Sequence, residues 1–134
     1  MTIKNFTNLL TEDRRFTLSV QRKIKGEVKE VYNSDALFSH ADDCGDCEID
    51  FIKISKHKAI IIETGNKMAP KNAVTVSDFL NVLVRNKTVI SVQGKVNDAI
   101  TEFYNSKRDK SFEQCGDKPI RFITIEKHKI YILV

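Results

Sequence analysis

The chain has no tryptophan, two prolines and five glycines in its 134 residues. So little Pro and Gly leaves no linker-like segment to mark a domain boundary and excludes collagen-like or Pro/Gly-rich low-complexity sequence. No internal repeat is read along it either, so one domain over residues 1–134 is expected, near the commonest domain size. Long hydrophobic runs are missing: nothing approaches the ~18 apolar residues of a membrane helix. Residues 1–10 have neither the basic start nor the apolar length of a secretory signal. A cytoplasmic protein with no membrane association is the expectation.

Cysteine is scarce and odd in number, at three, which argues against a disulfide framework and for a reducing compartment. Cys44 and Cys47 form a CxxC. A structural zinc site needs about four ligands, so Cys115 and one of His40, His57 or His128 would have to complete it; small residues in a turn ahead of a strand are the simpler reading. Charge of one sign is in short supply as well: 22 Lys+Arg against 18 Asp+Glu leaves a net +4, mildly basic and compatible with a polyanionic partner. At 41% hydrophobic and 30% charged residues the chain is too apolar to be disordered.

What is present is periodicity. Ile3, Phe6, Leu9 and Leu10 recur at helical spacing, and Leu18, Val20, Ile24, Val28 and Val31 do so again, predicting helices over the opening stretch and over 17–32. Gly26 weakens the second, and Phe16, Leu18 and Val20 also alternate as a strand would. Residues 33–46 have loop composition, with Ala36, Leu37 and Phe38 as anchors to the core. Apolar residues then alternate through 49–54, a polar Ser55-Lys56-His57-Lys58 intervenes, and Ala59-Ile60-Ile61-Ile62 follows: a β-hairpin over 48–63. Val76, Phe79, Leu80, Leu83 and Val84 predict a helix with Thr75 or Ser77 as N-cap. Residues 88–92 read as a strand and 96–104 as a fourth helix; 120–125 and 130–134 close the chain as strands. The order α, α, β, β, α, β, α, β, β places the chain in the α+β class, as a mixed β-sheet flanked by helices.

The hairpin carries the chemistry. Asp50 opens its first strand and Glu63 ends its second, so the antiparallel return brings two carboxylates toward one end of the sheet. Neighbouring carboxylates repel unless a cation lies between them, and Mg²⁺ or Mn²⁺ prefers such oxygen ligands. A metal there would polarise a phosphodiester and lower the pKa of a bound water. Charged residues at solvated strand ends are the plainer reading. No Ser/His/Asp arrangement and no Gly-rich phosphate loop is legible.

Written as Glu48-Ile49-Asp50-Phe51-Ile52 and Ile60-Ile61-Ile62-Glu63-Thr64-Gly65, the hairpin resembles the PD-(D/E)xK nuclease core, with an Asp-to-Glu interval similar to that of archaeal and viral Holliday-junction resolvases. Viral cap-snatching endonucleases share the architecture. The resemblance implies a restriction-endonuclease-like core and a metal-dependent nuclease acting on DNA or RNA, with Mg or Mn held by Asp50 and Glu63. It also implies a further acid, Glu27 or Glu30, from a preceding helix, and a homodimer. His40 stands as a ligand of the cap-snatching kind. Two positions depart from the family: its lysine is Gly65 here and its proline is Ile49. Lys67 or Lys71 would have to reach back as the displaced lysine, and Lys67, Lys71 and Arg22, with Arg14, Arg15, Lys23 and Lys25, are candidates to track phosphates. The alternative is a catalytically inactive nuclease-like binding protein, such as an immunity protein, a viral antagonist or a regulatory subunit.

Overall fold

Two short helices start on the same device. The first, α1 (Ile3–Leu9), is capped by Thr2 and the second, α2 (Val76–Val82), by Thr75. Each threonine accepts from the backbone N–H three residues on, and the side chain there, Asn5 or Asp78, accepts from the threonine's own N–H. These reciprocal capping boxes satisfy orphan donors of the first turn, and both caps sit at φ −89°, ψ 165°. The computed structural model describes residues 1–11, 17–35, 44–55, 58–126 and 128–134.

Among the described residues, eight strands run between and after the helices: β1 (Thr17–Ile24), β2 (Glu27–Asn33), β3 (Cys47–Ser55), β4 (Lys58–Lys67), β5 (Val89–Val96), β6 (Ala99–Asn105), β7 (Phe122–Ile125) and β8 (Lys129–Leu133). The class is α+β, but the strands divide between two sheets instead of joining one, ordered β2-β1-β4-β3 and β6-β5-β8-β7. In each, two antiparallel hairpins meet along one parallel seam, β1 with β4 and β5 with β8.

The helix expected over 17–32 is the β1–β2 hairpin, and the one expected over 96–104 is the turn and second strand of the β5–β6 hairpin. Leu18, Val20 and Ile24 lie an even number of residues apart, which suits a period of two as well as one of 3.6. Lys25 and Gly26 at φ 52° and 81°, and Asn97 and Asp98 at 52° and 65°, form two-residue turns whose positive φ values match the twist of the strands they join. Glu27 and Glu30 therefore stand on β2, not on a helix. The hairpin of β3 and β4, the opening helix, α2 and the two closing strands lie where periodicity put them.

An internal repeat, unread in the sequence, is plain in the fold. Thr2, Phe6 and Leu10 recur as Thr75, Phe79 and Leu83; Ser19-Val20-Gln21 as Ser91-Val92-Gln93; Tyr32-Asn33-Ser34 as Tyr104-Asn105-Ser106; Cys44-Gly45-Asp46 as Cys115-Gly116-Asp117; and Ile52 and Ile54 as Ile123 and Ile125. Even the β-bulge is copied: Val31 lacks a register partner in β2 as Phe103 does in β6. Substitutions and one-residue length changes between the copies hide this pattern from a pass for fixed-period similarity.

The halves interlock reciprocally. The segment leaving α1 joins the edge strand of the second sheet, with Thr11 N–H donating to Ile123 O at 2.9 Å, and the segment leaving α2 joins that of the first, with Val84 N–H donating to Ile52 O at 2.8 Å. Equivalent rings Phe6 and Phe79 stack between the halves, centroids 5.8 Å apart and planes 16° from parallel. Both are fully buried in one cluster that also takes Val20, Ile52 and Ile61 from the first sheet and Val92, Ile123 and Ile132 from the second. The opposite face of each sheet stays partly open. No helix among the described residues is long and apolar enough to cross a membrane.

Candidate functional site

The hairpin's carboxylates are separated by a bulge. Register pairs Ile49 with Glu63 and then Phe51 with Ile62, leaving Asp50 as the extra residue. Ile49 and Glu63 are buried, and Asp50 is exposed. Glu63 faces inward and is ion-paired with Arg22, its neighbour across the parallel seam. Arg22 also lies 3.7 Å from the Cys47 sulfur, whose thiol is pushed up by burial and then by Glu63. The other oxygen of Glu63, Oε2, is buried with no hydrogen-bond partner. Gly65, at the motif's lysine position, has φ +86° inside a second irregularity of β4. A lysine there would be strained, which accounts physically for the glycine.

Of the singled-out residues among those described, Arg22, Glu63 and Cys47 are brought together. Glu27 is exposed opposite Ile24 beside the hairpin turn. Glu30 accepts from the Ser19 hydroxyl and the Asn33 amide. Lys67 is exposed at the end of β4, opposite Cys47. Lys71 lies 3.0 Å from Asp78 Oδ1. No group of three or more His, Cys, Asp or Glu among the described residues is placed to hold a metal ion, and a guanidinium already faces Glu63, so the donor set does not fit a shared divalent cation. Cys44, Cys47 and Cys115 are buried. Arg14, Arg15, Phe16, His40, His57 and the 36–38 anchor lie outside the described residues.

Two features were missed in the sequence. The first is a polar network present once per half. Gln21 donates to Ser19 Oγ at 3.1 Å and Gln93 to Ser91 Oγ at 2.9 Å; each serine, fully buried, donates to a glutamate, Glu30 or Glu102. That glutamate accepts in turn from Asn33 or Asn105. Residues three apart on a regular strand face opposite ways; the bulge at Val31 or Phe103 turns Glu and Asn to the same face. The serine hydroxyl, foremost, holds both carboxylates below the usual glutamate range.

The second is a cavity of about 750 Å³ at the junction of the halves. Its floor includes Ile54, Leu83, Ile90 and Tyr104, and its walls carry Arg85, Lys87, Lys107, Arg108 and Lys110. Both walls are held in shape by asparagines: Asn86 accepts from Thr88 N–H and donates to Ile54 O, both at 2.8 Å, and Asn105 accepts from Lys107 N–H at 3.0 Å. Arg108 is braced against Asp109 at 2.9 Å and Glu102 at 3.4 Å. Among the described residues no carboxylate pairs with Lys87, Lys107 or Lys110. The signal available beforehand was Lys107-Arg108-Asp109-Lys110, which stands where the first half has Asp35-Ala36-Leu37-Phe38.

No protein-family model matches the chain, and neither a curated protein nor a solved structure matches it.

Proposed function

We propose that the protein is a nucleic-acid-binding protein that seats backbone phosphates in the cavity between its halves. The observation that carries this reading is the cationic wall itself. Arg85, Lys87, Lys107, Arg108 and Lys110 converge on one cavity, with Asp109 the one carboxylate lining it among the described residues, in a chain whose net charge is only +4. Like charges gathered at that density repel one another unless an anion offsets them, and a volume of this size with an apolar floor suits a nucleotide unit. Arginines offer paired donors to phosphate and lysines a mobile point charge. Binding of this kind needs no metal.

The test is anisotropy titration of a fluorescent oligonucleotide over a salt series. Affinity should fall steeply with salt, and the slope should lessen by roughly 0.7 to 0.9 for each phosphate contact removed. Lys107→Glu with Lys110→Glu is expected to flatten the slope and weaken binding more than tenfold. The same reversal at Lys4, exposed on α1, should change little. Binding absent at low salt, or equal in the two variants, would refute the assignment. Mg²⁺ added to the same mixture reads out hydrolysis: cleavage lost in Asp50→Ala would move the chemistry to the hairpin.

A further inference from the structure

The outer faces of the two sheets carry the same row of residues. In the first sheet Gln21, Ile62 and Phe51 are register partners across β1, β4 and β3. In the second, Gln93, Leu133 and Phe122 occupy the same places across β5, β8 and β7. The next row is Ser19, Ile60, Lys53 in one and Ser91, Tyr131, Thr124 in the other. Neighbouring strands lie ~4.8 Å apart, so each row is a short, flat strip from an amide through an aliphatic to an aromatic ring.

Both rings are open to solvent, Phe51 at 38% and Phe122 at 48% exposure. A single exposed Phe needs no explanation. The same ring exposed at the same register in both halves does, because other positions on that face differ between the halves, Ile60 against Tyr131 and Lys53 against Thr124, while the ring does not. Cations border both strips: Lys53 is exposed two residues from Phe51, and the Lys129 ammonium sits 4.7 Å from the Tyr131 ring centroid. Two acids of these faces, Glu30 and Glu102, are already engaged by serine and asparagine; Asp50, exposed next to Phe51, is a third.

We infer that these faces are stacking platforms for the bases of single-stranded nucleic acid, with Phe51 and Phe122 each receiving a base. Duplex bases turn their π faces to one another and are closed to such a surface; single-stranded bases are not, and aromatic residues on a flat, cation-bordered sheet take them with little regard to sequence. Gln21 and Gln93 form the amide ends of the strips, within the networks they share with Ser19 and Ser91. The inference rests on the nucleic-acid reading and adds strand state and contact residues to it.

The experiment compares single-stranded DNA, single-stranded RNA and a duplex of the same sequence, using the wild type, Phe51→Leu, Phe122→Leu and the double variant. Leucine keeps apolar area but removes the π face, and the exposure of both positions leaves the fold intact, checked by thermal melting. The expected result is preference for the single strand, at least a fivefold loss for each Phe→Leu, and an unchanged salt slope, since no phosphate contact is lost. DNA and RNA arms show which backbone is taken. Phe variants that bind as the wild type does, while Lys107→Glu with Lys110→Glu still weakens binding, overturn the platforms and leave the cavity assignment standing. A preference for duplex also overturns them. No binding to any probe at low salt overturns both readings.

Discussion

Replacing Arg22 by alanine removes the cation that, among the described residues, faces a carboxylate water does not reach. Glu63's side chain has 0% exposure and Arg22's 34%. Breaking a buried pair by removing one partner costs ~3 to 5 kcal/mol, because the remaining charge is left uncompensated. Since Arg22 is partly hydrated, the lower end applies: about 3 kcal/mol, a large share of the ~5 to 15 kcal/mol that holds a domain folded. In thermal terms this is a fall of about 10 °C in Tm. The second half shows how the same place is filled without charge. Gly94 and Val134 stand for Arg22 and Glu63, and the Phe103 ring occupies the space: a Cβ built on Gly94 would lie 2.7 Å from Phe103 Cε2 and 3.1 Å from Val134 Cγ2. The variant Arg22→Gly/Glu63→Val/Val31→Phe transplants that solution and should recover stability to within about 1 kcal/mol of the wild type, since well-packed apolar replacement of a buried pair is often neutral. Urea denaturation measures both, with the midpoint moving and the slope constant. A loss under about 0.5 kcal/mol for Arg22→Ala, or a triple variant no better than Arg22→Ala, would refute the reasoning.

The stacked pair Phe6 and Phe79 joins the halves, so truncating either to alanine should cost ~3 to 5 kcal/mol. A double-mutant cycle should show coupling of ~0.5 to 1.5 kcal/mol; additive losses would mean the rings act separately. In acid, Glu30 and Glu102 have folded-state pKa values depressed from the ordinary 4.5, so the stability they contribute is present above that pH and lost as pH falls through the folded values. Ser19→Ala with Ser91→Ala removes the main cause and should flatten the loss below about pH 4.5 in a melting series. An unchanged acid limb would place the effect elsewhere.

Strands dense in isoleucine were legible: β3, β4, β7 and β8 follow from their Ile positions, and α2 from Val76, Phe79 and Leu80. The β1–β2 and β5–β6 hairpins were not, because a two-residue turn joins strands whose even-numbered spacing also fits a helix. Lys25-Gly26 and Asn97-Asp98 were the available signals. The repeat escaped for a related reason, its matches being scattered singly and in threes with a shifting offset. Of the candidate site, the nearness of Arg22 to Glu63 was out of reach, since a parallel seam between distant strands has no local mark.

Local preference, by itself, pointed to the class, to a helix starting at Thr75 or Ser77, and to the apolar strands, since capping and alternation act over a few neighbouring residues. The tertiary structure alone decided which way Asp50 and Glu63 face. Side chains alternate with a period of two, so the one extra residue in β3 leaves Asp50 in solvent while Glu63 stays buried. It also decided that the buried carboxylate meets a guanidinium from β1, and that cations from 85–87 and 107–110 share one cavity, because long-range pairing brings those segments together.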